Sequence, residues 1–135
     1  ENLYTNVPID VKNAFETLMV VHTRRYLKTF LDEVQPGRNI ANREFLTSNW
    51  KEKGYFLSKE PFSHTHDIDQ PALLILGKYD SIVGYKDHVA LLDKFSNMRF
   101  VVLENAGHML HIEKRKVVQH LIRGWLQEES KGDKG

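Results

Sequence analysis

Two residues in the second half of the chain have the types and the placement for proton transfer. Asp80 follows the apolar run Ala72-Leu73-Leu74-Ile75-Leu76-Gly77, and His108 follows a second run at 98–103, about 28 residues further on. A carboxylate that accepts the Nδ1 proton of an imidazole fixes its tautomer and stabilises the imidazolium. Nε2 is then free to take a proton from a nucleophile. Both groups must reach one rim for this to work. In an open α/β sheet that rim lies just past the carboxyl ends of the strands, which is where the spacing puts Asp80 and His108. Gly77 and Gly107, beside the two residues, would let the backbone turn tightly after each strand.

The elements that must position them are legible. The run at 72–77 is continuously apolar, as in a strand buried on both faces of a parallel sheet. Residues 85–95 read as a helix with Val89, Leu91, Leu92 and Phe95 on its apolar side, and 98–103 (Met-Arg-Phe-Val-Val-Leu) as a second strand. Residues 113–126 read as a closing helix that buries Val117, Val118, Leu121, Ile122, Trp125 and Leu126. Strand, helix, strand, helix at these lengths is a βαβα unit, which needs a parallel sheet covered by helices. Two parallel strands leave open edges that call for neighbours. The missing strands would come from an absent N-terminal portion, a partner chain, or exchange between copies. The start at Glu1, without methionine, fits a chain from which something has been removed or one that begins partway through a longer one.

The first half has another texture. Ala14, Phe15, Leu18, Met19, His22, Tyr26, Leu27 and Phe30 recur at helical spacing. They predict one long amphipathic helix with Asp10 as N-cap, ended by Pro36-Gly37. A shorter helix follows at 42–50 and stops before Gly54, and 61–71 is a turn-rich connector.

The sequence 71–83 (Pro-Ala-Leu-Leu-Ile-Leu-Gly-Lys-Tyr-Asp-Ser-Ile-Val) resembles the acid-bearing segment of the α/β-hydrolase superfamily, a strand followed by Gly-x-x-Asp-x-x-Val. Residues 101–108 (Val-Val-Leu-Glu-Asn-Ala-Gly-His) resemble its histidine-bearing segment. His111-Ile112-Glu113 before a closing helix also fits. The resemblance covers about 68–127. It implies the C-terminal part of a doubly wound parallel sheet of α/β class, with Asp80 as triad acid and His108 as triad base, in the family's order of nucleophile, acid, histidine. It also implies that 1–67 is a helical cap segment with its connector, 68–127 the βαβα part of the core, and 128–135 a flexible tail. Ordinary packing helices are the equal alternative for the first segment.

The nucleophile is absent. None of Ser48, Ser58, Ser63, Ser81, Ser96 and Ser130 has the Gly-x-Ser-x-Gly setting, and some relatives attack with aspartate instead. The expected function is therefore a fragment of a hydrolase for a small ester, amide or related carbonyl substrate, inactive alone. A non-catalytic α/β binding or assembly module is the alternative. No cofactor or metal is called for. His64-Thr65-His66-Asp67, with Asp69, has the alternation of a metal site but reads as a solvated loop. His22, His88 and His120 read as surface or boundary residues on helices, and His111 as packing near the active-site mouth. Glu104, directly after the second strand, is the rival carboxylate, placed for a surface or hinge role. Tyr26, Phe30, Trp50, Tyr55, Phe56 and Phe62 would line a greasy pocket or pack cap on core.

Composition narrows the partners. With 19 basic and 18 acidic residues the net charge is +1, which gives no footprint for nucleic acid. Arg24-Arg25 and Lys114-Arg115-Lys116 are short enough to be solvated helix faces. Cysteine is absent, so thiolate chemistry is excluded. No apolar run approaches the roughly 20 residues of a membrane span. A cytoplasmic protein with a small-molecule substrate is expected.

Overall fold

A computed structural model describes residues 2–59, 61–63 and 67–132. Its sheet has two parallel strands, β1 (Ala72–Gly77) and β2 (Met98–Leu103), paired in register from Ala72 opposite Met98 to Gly77 opposite Leu103. Both strands fall where the apolar runs predicted. An isolated bridge between Ile68 and Phe95 extends the ladder ahead of them, and Phe62 packs edge-on against Phe95 at 5.6 Å.

The strands are mostly half-buried, and Leu76 is the one apolar side chain of either strand in the buried core. Continuous apolar runs would be buried on both faces if helices and further strands covered them. Here the sheet has two strands among the described residues.

The helical first half departs from the single long helix expected of its periodicity. Helix α1 spans Ile9–Leu18 and helix α2 spans Arg24–Glu33, with an extended elbow between them. Met19 is in the β region, and Thr23 caps α2 by accepting the Tyr26 N–H. Pro8, not Asp10, precedes the first turn of α1. Pro36-Gly37 does not end a helix but lies inside the next one, α3 (Gln35–Asn39), where proline's missing N–H costs nothing in the first turn. Apolar spacing stays in phase across the elbow because both helices bury their stripes in one cluster. That cluster holds Val11, Phe15, Met19, Leu27, Phe30 and Ile112, with Phe15 and Phe30 edge to face at 5.5 Å.

The segment expected as one helix at 42–50 is two single turns, α4 (Arg43–Thr47) and α5 (Trp50–Gly54). Asn42 caps the first by accepting the Phe45 N–H at 2.9 Å. The run after β1 is a 3-10 helix, Tyr85–Asp93, rather than an α-helix. Its Val89 and Leu92 are exposed, so no buried apolar stripe holds an α-helical turn there.

A short turn, α6 (Leu110–Glu113), leads into α7 (Arg115–Gly132), which runs past the expected end at Leu126. Of the six residues expected to be buried on α7, Val118 is buried; Val117, Ile122 and Leu126 are exposed. A stripe at helical spacing marks a face that wants a partner, and this face has little to cover it among the described residues.

Candidate active site

The parallel register makes β1 and β2 release their loops side by side. The Lys78 N–H donates to the Leu103 carbonyl and the Tyr79 N–H to the Ala106 carbonyl, both at 3.0 Å, so the two loops continue the ladder beyond the strands. Gly77 permits this approach. A methyl group there would stand 2.4 Å from the Gly107 carbonyl oxygen and 2.6 Å from that of Ala106. The tight turn itself falls elsewhere than expected, on Asn105 with φ of 50°; Gly77 and Gly107 have no positive φ. Asparagine is among the few residues that take this conformation readily. The glycines are needed for close contact, not for turning.

These loops bring Asp80 and His108 together. His108 Nδ1 lies 3.0 Å from Asp80 Oδ2. Asp80 Oδ1 accepts the N–H groups of Ile82 at 2.8 Å and Val83 at 2.9 Å. The carboxylate is thus held at both oxygens. Burial pushes the Asp80 carboxyl up, but the donors of Val83, His108 and Ile82 together outweigh it and hold the pKa below the usual carboxylate range. An ionised carboxylate only accepts, so His108 donates from Nδ1. The Asp80 side chain is 9% exposed and that of His108 is 35% exposed. Among the described residues no hydrogen bond engages His108 Nε2. The arrangement is an imidazole with one nitrogen anchored and the other available.

The rival carboxylate is engaged elsewhere. Glu104 is exposed and pairs with Lys78 at 2.5 Å, and the pairing raises the Lys78 pKa. The end of α1 braces both loops. Ser81 Oγ donates to the Thr17 carbonyl at 3.0 Å and the Met109 N–H donates to the Leu18 carbonyl at 3.1 Å. Glu113, on α6, is 5% exposed. Its Oε1 accepts the N–H groups of Val20 at 2.6 Å and Val21 at 2.8 Å, and its Oε2 that of Gly107 at 2.8 Å. In the sequence Glu113 reads as the first residue of the last helix, without a task, and the apolar spacing runs one helix straight through Val20 and Val21. The signal that marked the break was Thr23, a good N-cap residue one position ahead of a charged, amphipathic segment.

The other histidines stand apart from the pair. His22 lies in the elbow, not on a helix; its Nε2 donates to the Met19 carbonyl at 2.7 Å and its ring tilts against Phe15. His88 donates from Nδ1 to the Gly84 carbonyl. His111 and His120 are exposed. His64 and His66 lie outside the described residues. Among the described residues there is no cluster of three or more His, Cys, Asp or Glu able to hold a metal ion. No helix of the described residues is long and apolar enough to cross a membrane.

The aromatics divide. Phe30 is in the core and Tyr26 donates to the Glu113 carbonyl at 2.9 Å. Phe45 stacks on Trp50, and Tyr55 and Phe56 follow edge to face in series, with Phe56 83% exposed. A cleft of about 420 Å³ lies between α2 and the start of α7, lined by Arg25, Tyr26, Lys114 and Lys116 among others. Neither Asp80 nor His108 lines it, so it is not the place where their chemistry would occur.

With strands, loops and paired side chains in this arrangement, the chain belongs to the α/β hydrolase fold family, whose model it matches over residues 25–115. That span includes Asp80 and His108. Members of the family are generally hydrolytic enzymes. No curated protein and no solved structure matches the chain.

Proposed function

We propose that this chain supplies the acid and the base of a hydrolase triad, Asp80 and His108, to a nucleophile carried by another segment of polypeptide. One observation carries the reading: a half-exposed imidazole whose Nδ1 is fixed by a carboxylate that is itself fixed by two backbone N–H groups. Such an imidazole takes the proton of an attacking hydroxyl at Nε2, becomes an imidazolium beside Asp80, and returns the proton to the leaving group. When the nucleophile is an aspartate, the same imidazole activates the water that releases the product. A small ester, amide or related carbonyl compound is the substrate class for the hydroxyl case.

The incomplete sheet supports a nucleophile from elsewhere. Both strands have half-buried faces, and the stripe on α7 is partly uncovered. The rest of a doubly wound sheet, from a further segment or a second chain, would cover them. The helices at 9–54 then serve as the roof over the pocket, as a cap segment.

An active-site-directed fluorophosphonate tests the class. Labelling of the assembled enzyme that is lost in His108→Ala supports a serine hydrolase. Absent labelling, together with undiminished hydrolysis in that variant, leaves the chain as a non-catalytic module for binding or assembly.

A further inference from the structure

We propose that Glu113 is a positioning residue for His108, acting through the backbone of the histidine loop. The inference rests on the reading of His108 as the base and adds the device that aims it. Three features converge. The residue before His108 is tied through its N–H to Glu113 Oε2 at 2.8 Å. The residue after it, Met109, is tied through its N–H to the Leu18 carbonyl at 3.1 Å. The other oxygen of Glu113 holds Val20 and Val21, directly beyond Leu18, at 2.6 and 2.8 Å. One buried carboxylate therefore joins the two strips of backbone that bracket the imidazole. Asp80 sets the ring's rotation and tautomer; Glu113 sets where the ring begins.

The clamp needs a carboxylate. Val20, Val21 and Gly107 all present N–H donors, so both oxygens must accept. An amide has one acceptor oxygen, and its NH₂ would face a donor on one side or the other. The packing leaves little room for an alternative, since a Cβ on Gly107 would meet Val20 Cγ2 at 3.0 Å and the Leu18 carbonyl at 3.3 Å. Tyr26 supplies an internal control: its hydroxyl bonds the backbone carbonyl of Glu113, not the carboxylate.

The test reads the His108 ring directly, by long-range ¹H–¹⁵N correlation on the full chain at about pH 8. In the wild type, His108 shows the Nδ1–H tautomer, and Asp80→Asn abolishes that preference. Glu113→Gln and Glu113→Asp shift His108 to a mixture of tautomers, while Tyr26→Phe leaves the ring signals in place. The amide spectrum of each variant reports whether it is folded. Folded Glu113 variants with an unchanged His108 tautomer would overturn the inference. So would loss of the fold in both, because Glu113 would then serve the whole structure rather than the histidine. A wild-type ring indifferent to Asp80→Asn is a different failure, that of the acid–base reading itself.

Discussion

Gly77 and Gly107 approach so closely that a single added methyl group on Gly77 would lie 2.4 Å from the Gly107 carbonyl oxygen. The obstacle is backbone on the far side, which cannot swing away as a side chain would. Gly77→Ala must therefore push the acid loop and the histidine loop apart. Overpacking in a tight site costs about 1–3 kcal/mol, and a backbone neighbour places this change at about 3 kcal/mol or more. Urea denaturation gives the number. Gly37→Ala serves as the contrast, since nothing lies within 4 Å of that position and its short helix gains from alanine. Equal stability for the two variants would contradict the close-approach explanation.

Acid should loosen the Asp80 loop in a defined direction. The folded carboxyl titrates below its usual range, so the unfolded chain, with aspartate near about 3.9, binds the proton more readily. The stability contributed by Asp80 is full above about pH 5 and is lost as pH falls through the unfolded and then the lower folded value. Asp80→Asn cannot titrate. The difference in unfolding free energy between wild type and this variant should shrink from about pH 5 downward. A difference that stays constant down to about pH 2 contradicts the prediction.

Turnover in the assembled enzyme should fall by about 10²–10⁴-fold in His108→Ala, the usual contribution of a general base. Asp80→Asn should fall in the same range, because an amide can donate to Nδ1 and favour the wrong tautomer. Glu104→Gln, which breaks only the exposed pair with Lys78, should leave the rate within about twofold, as water and salt screen a surface ion pair. Steady-state kinetics on the three variants decides between the two carboxylates.

The chain by itself should associate. Its sheet has two strands among the described residues, and Val117, Ile122 and Leu126 are exposed along α7. Open strand edges and uncovered apolar stripes recruit other chains. Sedimentation velocity across a dilution series should show a concentration-dependent species larger than the monomer. A single monomer at all concentrations, with a cooperative unfolding transition, speaks against an incomplete sheet.

The strands were legible because continuous apolar runs bounded by glycine and by polar turns have few other meanings, and the residues after them could be placed at one rim from spacing alone. Asp80 and His108 followed from that placement. Thr23, a good N-cap residue, was the local mark of the elbow, and it was masked because Phe15, Leu18, Met19, Tyr26 and Phe30 keep a helical rhythm even though the backbone breaks between them. What breaks it is a carboxylate more than ninety positions away in the chain for Val20, and no local pattern announces a partner at that distance. Residues 85–95 misled for a related reason: the apolar spacing was present, but the surface it should cover was not, and the turn tightened to 3-10. Glu113 looked like one more acidic residue opening a helix, and its worth lies in three N–H groups that only the folded chain brings to it.

The elbow also has a mechanical meaning. Thr17 and Leu18 are bonded to Ser81 and Met109, the neighbours of Asp80 and His108, Val20 and Val21 are bonded to Glu113, and the Thr23 cap of α2 follows two residues later, with the far end of α2 pinned to α7 through Glu33 and Arg115. A push on the outer helices has a short, stiff route to the imidazole. Changes in residues 9–34 that shift this stretch will thus also shift the Asp80–His108 pair, because the same few bonds hold both.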